Sequence, residues 1–282
     1  MKKGLVMEGG AMRGLFTAGV IDVLMENGIE FDGAVGVSAG ACFGCNYKSK
    51  QPGRVIRYNE KYCNDKRYCS LENLIKTGDM YGVDFCYRQI PYELDIFDYK
   101  TFSENPMEFY VVATDVETGK AVYHKCTTGK DEDLAWFHAS ASMPLAAKVV
   151  ETEGKKLLDG GIADSVPLEF FEKQGYERNV VVLTQPKGFV KSKNKLLFLI
   201  RLVLGKYPKF VETAKNRHDV YNAQTAYVLK AQNEGRAFVI CPPEKLPVGR
   251  TEKDPEKLRN VYNIGRNTAE MQLDDLKKFL EL

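Results

Sequence analysis

Ser38 is the residue whose surroundings point most clearly to chemistry. It lies in Gly36-Val37-Ser38-Ala39-Gly40, a G-x-S-x-G sequence between a predicted strand and a predicted helix. Small residues on both sides permit a sharp turn that exposes the serine oxygen at the carboxyl end of the strand. The amino terminus of the following helix favours an anion that forms beside it. The motif predicts a nucleophile, and a tight packing turn is the alternative.

A glycine-rich loop lies after the first predicted strand and opens a helix. A phosphate-binding loop needs a lysine and a hydroxyl residue after its last glycine, whereas Leu15 and Phe16 follow here. A dinucleotide-binding fingerprint needs glycine at its third position, where this loop has Ala11, and its ribose partner would be Glu30 or Asp32. The third interpretation is an oxyanion hole for an intermediate at Ser38. The loop consists of Gly9, Gly10, Ala11, Met12, Arg13 and Gly14.

Asp159 is the acidic residue that could act together with Ser38. It follows the short apolar pair Leu157-Leu158 and precedes Gly160 and Gly161. An acid at a strand end could reach the end of another strand. Asp-Gly is also a strong signal for a type I′-like hairpin turn, and taken alone this sequence favours the turn.

These three motifs, in this order and spacing, resemble those of the patatin-like phospholipase family. A fourth similar segment, Ala139-Ser140-Ala141-Ser142-Met143-Pro144, precedes Asp159, and the resemblance covers roughly residues 4–172. It implies an α/β fold of three layers, with a mostly parallel central sheet flanked by helices. One departure is Ala11, which stands where the family usually has glycine, so Gly10 is the better oxyanion donor.

The resemblance also implies an activity and a set of site residues. The activity is hydrolysis of a lipid or ester substrate by a serine–aspartate dyad, without a metal or another cofactor. Ser38 would attack the acyl carbonyl, Asp159 would accept its proton, and the loop from Gly9 to Gly14 would hold the oxyanion and substrate. The remaining motif residues are Gly36, Gly40, Gly160 and Gly161.

Two alternatives to the dyad remain at the sequence level. The order Ser38, Asp159, His218 is formally that of an α/β-hydrolase triad, although the elbow of that fold normally follows more strands. His218 also lies in the polar stretch 215–219, which is typical of a solvated helix face. The other alternative is a non-catalytic nucleotide- or phosphate-binding module that uses the glycine loop.

Alternation of short apolar strands with helices predicts a parallel α/β sheet with a helical C-terminal third. We predict a catalytic core over 1–172 and a C-terminal part over 173–282 that packs on the same domain, with two strands. The predicted strands are 4–7, 34–37, 108–115, 121–125, 179–183 and 238–241. The predicted helices are 15–25, 39–47, 54–62, 131–142, 211–233 and 255–280.

The chain has 40 Lys+Arg and 38 Asp+Glu, and this near balance gives no indication of nucleic-acid binding. Its seven cysteines are an odd number in a long chain, which fits a reducing compartment better than a disulfide framework. The pair Cys42 and Cys45 has no second ligand pair at zinc spacing, so we interpret both as buried thiols. We therefore expect a cytoplasmic protein, and the sequence leaves its oligomeric state open.

The basic segment Lys187–Lys209 contains seven cations and no acid, and it encloses the apolar run 196–204. That run is too short to span a membrane, since a spanning helix needs about 20 residues. Three interpretations remain: peripheral contact with an anionic membrane, a lid over the site, or a core helix with basic ends. The cations are Lys187, Lys191, Lys193, Lys195, Arg201, Lys206 and Lys209.

Overall fold

A single eight-stranded sheet forms the centre of the protein in the computed structural model, which describes residues 1–281. The strand order is β5-β6-β3-β2-β1-β7-β8, with β4 paired to β3. Strands β3, β2, β1, β7 and β8 are parallel, whereas β4, β5 and β6 are antiparallel to their neighbours. Their bounds are β1 Lys2–Met7, β2 Gly33–Val37, β3 Glu108–Asp115, β4 Ala121–Cys126, β5 Val150–Thr152, β6 Lys155–Asp159, β7 Tyr176–Val182 and β8 Ala237–Ile240.

Helices cover both faces of this sheet. Successive side chains of β1 enter separate cores: Leu5 and Met7 face one layer, and Val6 faces the other. The first layer contains α1 (Gly14–Glu26), α2 (Ala39–Lys48) and α10 (Pro255–Met271), and the second contains α7 (Leu168–Lys173) and α9 (Pro208–Asn233). The predicted three-layer α/β architecture is thereby confirmed.

The other helices surround these layers, and one of them contains a wide turn. Residues 85–94 form a π-helix with Pro91 inside it, a feature that apolar periodicity does not reveal. The remaining α-helices are α3 Arg54–Tyr62, α4 Leu71–Thr77, α5 Tyr99–Glu104, α6 Glu132–Ala141, α8 Leu197–Leu204 and α11 Leu273–Leu280.

The C-terminal end differs from the single helix predicted over 255–280. α10 ends at Met271, because the Gln272 N–H bonds to the Ala269 carbonyl at 3.2 Å and closes the last turn. α11 then begins at Leu273, after Gln272, and buries Leu276 and Leu280. α9 begins at Pro208, three residues before the predicted start, since proline suits the first turn of a helix.

Residues beyond 172 complete the sheet and one of its helical layers. β7 pairs in parallel with β1, and β8 pairs with β7. α10 lies directly on α1, where Gly265 allows close approach: a Cβ atom there would lie 2.8 Å from the Phe16 carbonyl carbon. The proposed division at residue 172 stays a prediction, although the elements on either side of it share one sheet.

Candidate active site

Ser38 occupies a sharp turn between β2 and α2. Its φ of 54° and ψ of −123° are strained for a residue with a side chain, and only 8% of its surface is exposed. Its N–H donates to the Ser140 hydroxyl at 2.8 Å, and that hydroxyl donates to the Val112 carbonyl at 2.6 Å. Ser140 therefore links the turn to β3, a role that the sequence did not predict.

The glycines beside Ser38 are needed because the backbones there nearly touch. A Cβ atom at Gly40 would lie 2.7 Å from the Glu8 carbonyl oxygen, and one at Gly36 would lie 2.6 Å from the Ala41 nitrogen. Both distances are too short for a real side chain. The end of β1 and the start of α2 can thus approach each other closely behind Ser38.

The glycine loop lies against this turn, because β1 and β2 are adjacent parallel strands. A Cβ atom at Gly9 would lie 2.9 Å from the Ser38 Cβ. The backbone N–H groups of Gly10 and Ala11 have no hydrogen-bond acceptor within residues 1–281. Ala11 adopts a left-handed conformation with a φ of 49°, which is strained for a residue with a Cβ atom and favours glycine.

The last three residues of the loop lie in different environments. Met12 is buried and lines an apolar cavity. Arg13 lines a polar cavity on the other side of Ser38. Gly14 begins α1, and a Cβ atom there would lie 2.8 Å from the Ala39 Cβ.

Asp159 ends β6 and is held by its backbone and its side chain. Its N–H donates to the Ser142 carbonyl at 2.8 Å, and its carbonyl accepts a 2.8 Å bond from the Thr114 hydroxyl. Its carboxylate accepts a 2.8 Å bond from the Gly161 N–H. Residues 160–162 form a 3₁₀ turn, so the hairpin interpretation of Asp-Gly-Gly is wrong.

Burial raises the pKa of the Asp159 carboxyl. The positive charge of Arg217 and the hydroxyl of the nearby Ser38 side chain oppose this increase. Gly160 cannot carry a side chain, since a Cβ atom would lie 2.6 Å from the Val112 carbonyl carbon. The structure thus brings Asp159 to Ser38 in a buried position that favours proton uptake by the acid.

Cavities of opposite character meet at Ser38. A mainly apolar cavity of about 160 Å³ is lined by Phe43, Tyr58, Tyr87 and Phe137. A polar cavity of about 420 Å³ is lined by Asp159, the glycine loop and several cationic side chains. Ser38 lines both, so a molecule bound there could extend in two directions of different chemistry.

Comparison with known proteins identifies the family. Residues 5–171 match the family model of the patatin-like phospholipases, which covers more than half of the chain. The chain belongs to the patatin-like phospholipase family. The family resemblance of the sequence motifs is therefore confirmed. Residues 207–281 match a second model, described as a domain of unknown function (DUF6363).

Individual proteins match this chain at modest identity. The chain is 26% identical to the uncharacterized protein YjjU of Escherichia coli K12, over 98% of this chain and 78% of that protein. It is 29% identical to lysophospholipase nte1 of Aspergillus niger, over 98% of this chain but only 18% of the much longer fungal protein. Among solved structures, VipD from Legionella pneumophila aligns with a TM-score of 0.49 and 14% identity, over 97% of this chain and 67% of that one.

The histidines of this patatin-like protein have partners other than Ser38 and Asp159. His218 lines the polar cavity, but its ring nitrogens lie 3.1 Å from the Lys215 carbonyl and 3.4 Å from Asp219. His138 lies 3.5 Å from Asp79, and burial lowers its pKa. His124 lies 2.7 Å from Asp133. The interpretation of 215–219 as a solvated face holds for Lys215 and Asp219, which are exposed, but not for Arg217 and His218, which line the cavity.

One group of potential metal ligands lies within residues 1–281, formed by His124, Cys126 and Asp133. Its atoms approach within 4.8 Å of one another. Asp133 already accepts bonds from His124 and from the N–H groups of residues 127–129. Burial raises the pKa of the Cys126 thiol well above its ordinary value, which disfavours the thiolate that a metal requires.

All seven cysteines are free thiols. Cys42 lines the apolar cavity, and burial raises its pKa and that of Cys45 to about 12. These thiols are therefore poor nucleophiles at neutral pH. The interpretation as a buried thiol holds for Cys45, whereas Cys42 is only half-buried, because it faces the cavity.

The cations of the basic segment Lys187–Lys209 lie in different environments. Lys191 points into the polar cavity, so it is not a free surface cation, whereas Lys193 and Lys195 are exposed at the rim. The run 196–204 is not a core helix: Phe198 and Leu202 of α8 are 75% and 73% exposed. Within residues 1–281, no helix has the length and apolar character required to cross a membrane.

Proposed function

We propose that the protein is a serine hydrolase of lipid carboxylic esters, in which Ser38 is the nucleophile and Asp159 the base. The observation that carries the proposal is the position of Ser38: a strained turn, beside free backbone donors and a buried carboxyl group. Family membership and the relatives named lysophospholipase support a lipid ester as substrate.

The proposed mechanism has two halves. The Ser38 oxygen attacks the ester carbonyl and transfers its proton to Asp159, while the N–H groups of Gly10 and Ala11 bind the oxyanion. Asp159 then gives the proton to the departing alcohol. Water attacks the acyl-enzyme while Asp159 takes its proton, and Asp159 returns this proton to the Ser38 oxygen as the carboxylic acid leaves. Apart from the substrate and water, the protein's own residues supply every group that this reaction mechanism needs.

The experiment that tests the dyad is labelling with a fluorophosphonate probe, followed by mass spectrometry and ester hydrolysis assays. We predict one adduct, on Ser38. Ser38→Ala removes labelling and turnover, and Asp159→Asn lowers turnover by at least about 10³-fold, since an amide cannot accept the proton. Replacing His124, His138 or His218 by alanine leaves most of the activity.

Other outcomes select the alternatives. If a folded His218→Ala variant is as inactive as Ser38→Ala, the Ser38–Asp159–His218 triad replaces the dyad. If no adduct forms under conditions that label a known serine esterase, the glycine loop belongs to a phosphate- or nucleotide-binding module. Circular dichroism of each variant separates loss of activity from loss of fold.

We also propose peripheral contact with anionic membranes through the exposed face of α8. Phe198 and Leu202 supply apolar contact, and Lys193 and Lys195 lie just before the helix. Apolar side chains flanked by cations favour adsorption to an anionic lipid surface. The free thiols fit a reducing compartment, so we place this activity in the cytoplasm.

A further inference from the structure

The polar cavity beside Ser38 has a cationic lining that the proposed ester chemistry does not use. Arg13, Lys191, Arg217 and Arg250 all line it. They come from the glycine loop, the loop after β7, helix α9 and the loop before α10. Separate parts of the chain thus place positive charge on one cavity.

The acids of the same cavity do not neutralise this charge. They are Glu8 and Asp159. The Glu8 carboxylate accepts a 2.6 Å bond from the Thr184 N–H and a 2.8 Å bond from the Tyr221 hydroxyl, and burial raises its pKa. The Asp159 pKa is raised as well. Within residues 1–281, neither acid forms a salt bridge with a cation of this lining.

Within residues 1–281, none of these four cations forms a salt bridge with an acid. The Arg13 Nε is buried without a hydrogen-bond acceptor in the described part of the chain. The Lys191 ammonium lies 4.0 Å from the centroid of the Tyr221 ring. Burial, together with the charges of Arg217, Arg13 and Arg250, lowers the Lys191 pKa to about 8. Partly buried cations that repel one another form a strong site for an anion.

Fixed contacts hold two of these cations near the catalytic turn. The Arg217 Nε donates to the Gly161 carbonyl, two residues after Asp159. The Lys191 backbone N–H donates to the Asn222 side chain at 2.8 Å, and Asn222 returns a 3.1 Å bond to the Lys191 carbonyl. The backbone of the loop after β7 is thus tied to α9 beside the cavity.

We propose that the cationic cavity binds the phosphate of a phosphate-bearing lipid while the acyl chain occupies the apolar cavity. This assignment rests on the proposed function, because it places the scissile ester at Ser38 between the cavities. A glycerol backbone separates ester and phosphate by a few bonds, which matches a residue that lines both cavities. The substrate class is therefore an anionic glycerophospholipid or its monoacyl form.

The same assignment gives a role to the C-terminal region. Arg217 and Arg250 lie in residues 207–281, which match the domain of unknown function. Lys191 lies between the two matched regions. The matched catalytic region supplies the proposed nucleophile and base, and the chain beyond it supplies five of the six Lys and Arg residues that line the cavity: Lys191, Lys193, Lys195, Arg217 and Arg250.

The first test compares two substrates that differ only in the phosphate. A monoacylglycerol and its 3-phosphate, with the same acyl chain, are assayed in neutral detergent micelles. We expect wild-type kcat/KM to favour the phosphate by at least about tenfold, and Lys191→Gln and Arg250→Gln to reduce this ratio about tenfold each. Lys215→Gln, an exposed lysine on α9, is the matched control and keeps the wild-type ratio.

The second test measures anion binding without catalysis. Sulfate replaces chloride at equal ionic strength, and thermal unfolding is followed for wild type and for the Lys191→Gln/Arg250→Gln double variant. Wild type should show a saturable increase in Tm at least about 2 °C larger than that of the double variant. Equal shifts in both proteins overturn the anion site.

The outcomes separate this inference from the proposed function. Hydrolysis of both substrates at equal rates, with equal sulfate shifts, overturns the phosphate site and leaves the serine hydrolase intact. Absence of hydrolysis and of fluorophosphonate labelling rejects the hydrolase, while the sulfate measurement still decides the anion site. A sulfate shift without preference for the phosphate lipid assigns the cavity to a free anion and overturns the head-group assignment.

Discussion

At the scale of single residues, the proton affinity of Asp159 decides how the proposed chemistry responds to pH. An ordinary aspartate, with a pKa near 4, is a weak base toward a serine hydroxyl. Burial raises the Asp159 pKa, and Arg217 is the largest influence in the other direction. Arg217 therefore adjusts the base as well as lining the cavity.

This arrangement predicts the effect of Arg217→Gln on the pH profile. Only the Asp159 carboxylate can accept the proton, so kcat/KM is lost as pH falls through the pKa of Asp159. Removing the Arg217 charge raises this pKa further and moves the acid limb to higher pH, by about one unit. The measurement is kcat/KM against pH for a neutral ester, with Lys215→Gln as control. An unmoved acid limb would show that Arg217 does not influence the base.

Ala11 offers a second residue-scale prediction. Its left-handed backbone costs a residue with a Cβ about 1–2 kcal/mol in the folded state. Glycine avoids this cost, but its unfolded chain has more conformational freedom, and this offsets part of the gain in stability. Ala11→Gly should therefore raise the free energy of unfolding by up to about 1 kcal/mol, as measured by urea denaturation. Lys50→Gly, at an exposed position that also has a positive φ, is the comparison and should shift stability in the same direction. A destabilised Ala11→Gly variant would contradict the strain argument.

The sequence indicated candidate residues that belong to a local motif. It did not indicate the cavity residues whose side-chain orientation depends on how distant parts of the chain pack. Ser38 and the glycine loop follow from strand–turn–helix context. Arg217 lies in a polar run, and only the packing of α9 over the site turns its side chain inward. Lys191 likewise belongs to a run of surface cations, and its loop conformation places it in the cavity.

At the scale of elements, α8 has an unusual distribution of apolar side chains. Ile200 and Leu204 are buried, whereas Phe198, Leu202 and Val203 are mostly exposed. One side of the helix thus packs into a small hydrophobic cluster, and the other side is exposed to solvent. Hydrophobic content alone could not distinguish a buried helix from an interfacial one, which is why the sequence left three interpretations open.

The exposed face of α8 predicts a membrane phenotype. Lys193→Glu/Lys195→Glu and Phe198→Ser/Leu202→Ser should each weaken sedimentation with vesicles containing phosphatidylserine, the charge variant by about 1 kcal/mol or more per lysine. Added salt should weaken wild-type binding, since charges beyond about 8 Å are screened at physiological ionic strength.

The matched control is Lys66→Glu/Lys155→Glu, which changes the same charge at exposed sites outside this segment. Vesicle binding that falls equally in both charge variants would indicate a general charge effect. Binding unaffected by either the charge or the apolar variant would reject α8 as a membrane contact.

At the scale of the whole molecule, the C-terminal third is part of the fold. α1 is buried between the sheet and α10, and its residues from Gly14 to Leu24 are all buried. The parallel sheet and its helical layers could be predicted from the alternation of strands and helices. The contact between α1 and α10 could not, because the two glycines that permit it, Gly19 and Gly265, lie far apart in sequence.

Gly265→Val tests this contact. The new Cβ would overlap the Phe16 carbonyl, so α1 and α10 must separate, and the free energy of unfolding should fall by about 3 kcal/mol or more. Gly249→Val, where a Cβ meets no atom within 4 Å, is the control and should change stability little. If both variants have the same free energy of unfolding in chemical denaturation, close packing of α1 on α10 does not contribute to stability.

The position of β6 on the sheet has a consequence for biosynthesis. β6 pairs with β3, which in turn pairs with β2, so Asp159 reaches Ser38 only after long-range strand pairings have formed. Such pairings form slowly, since large chain loops must close first. A ribosome-bound chain therefore exposes the proposed nucleophile well before its base exists, and under the proposed dyad it cannot turn over lipid until translation has passed β6.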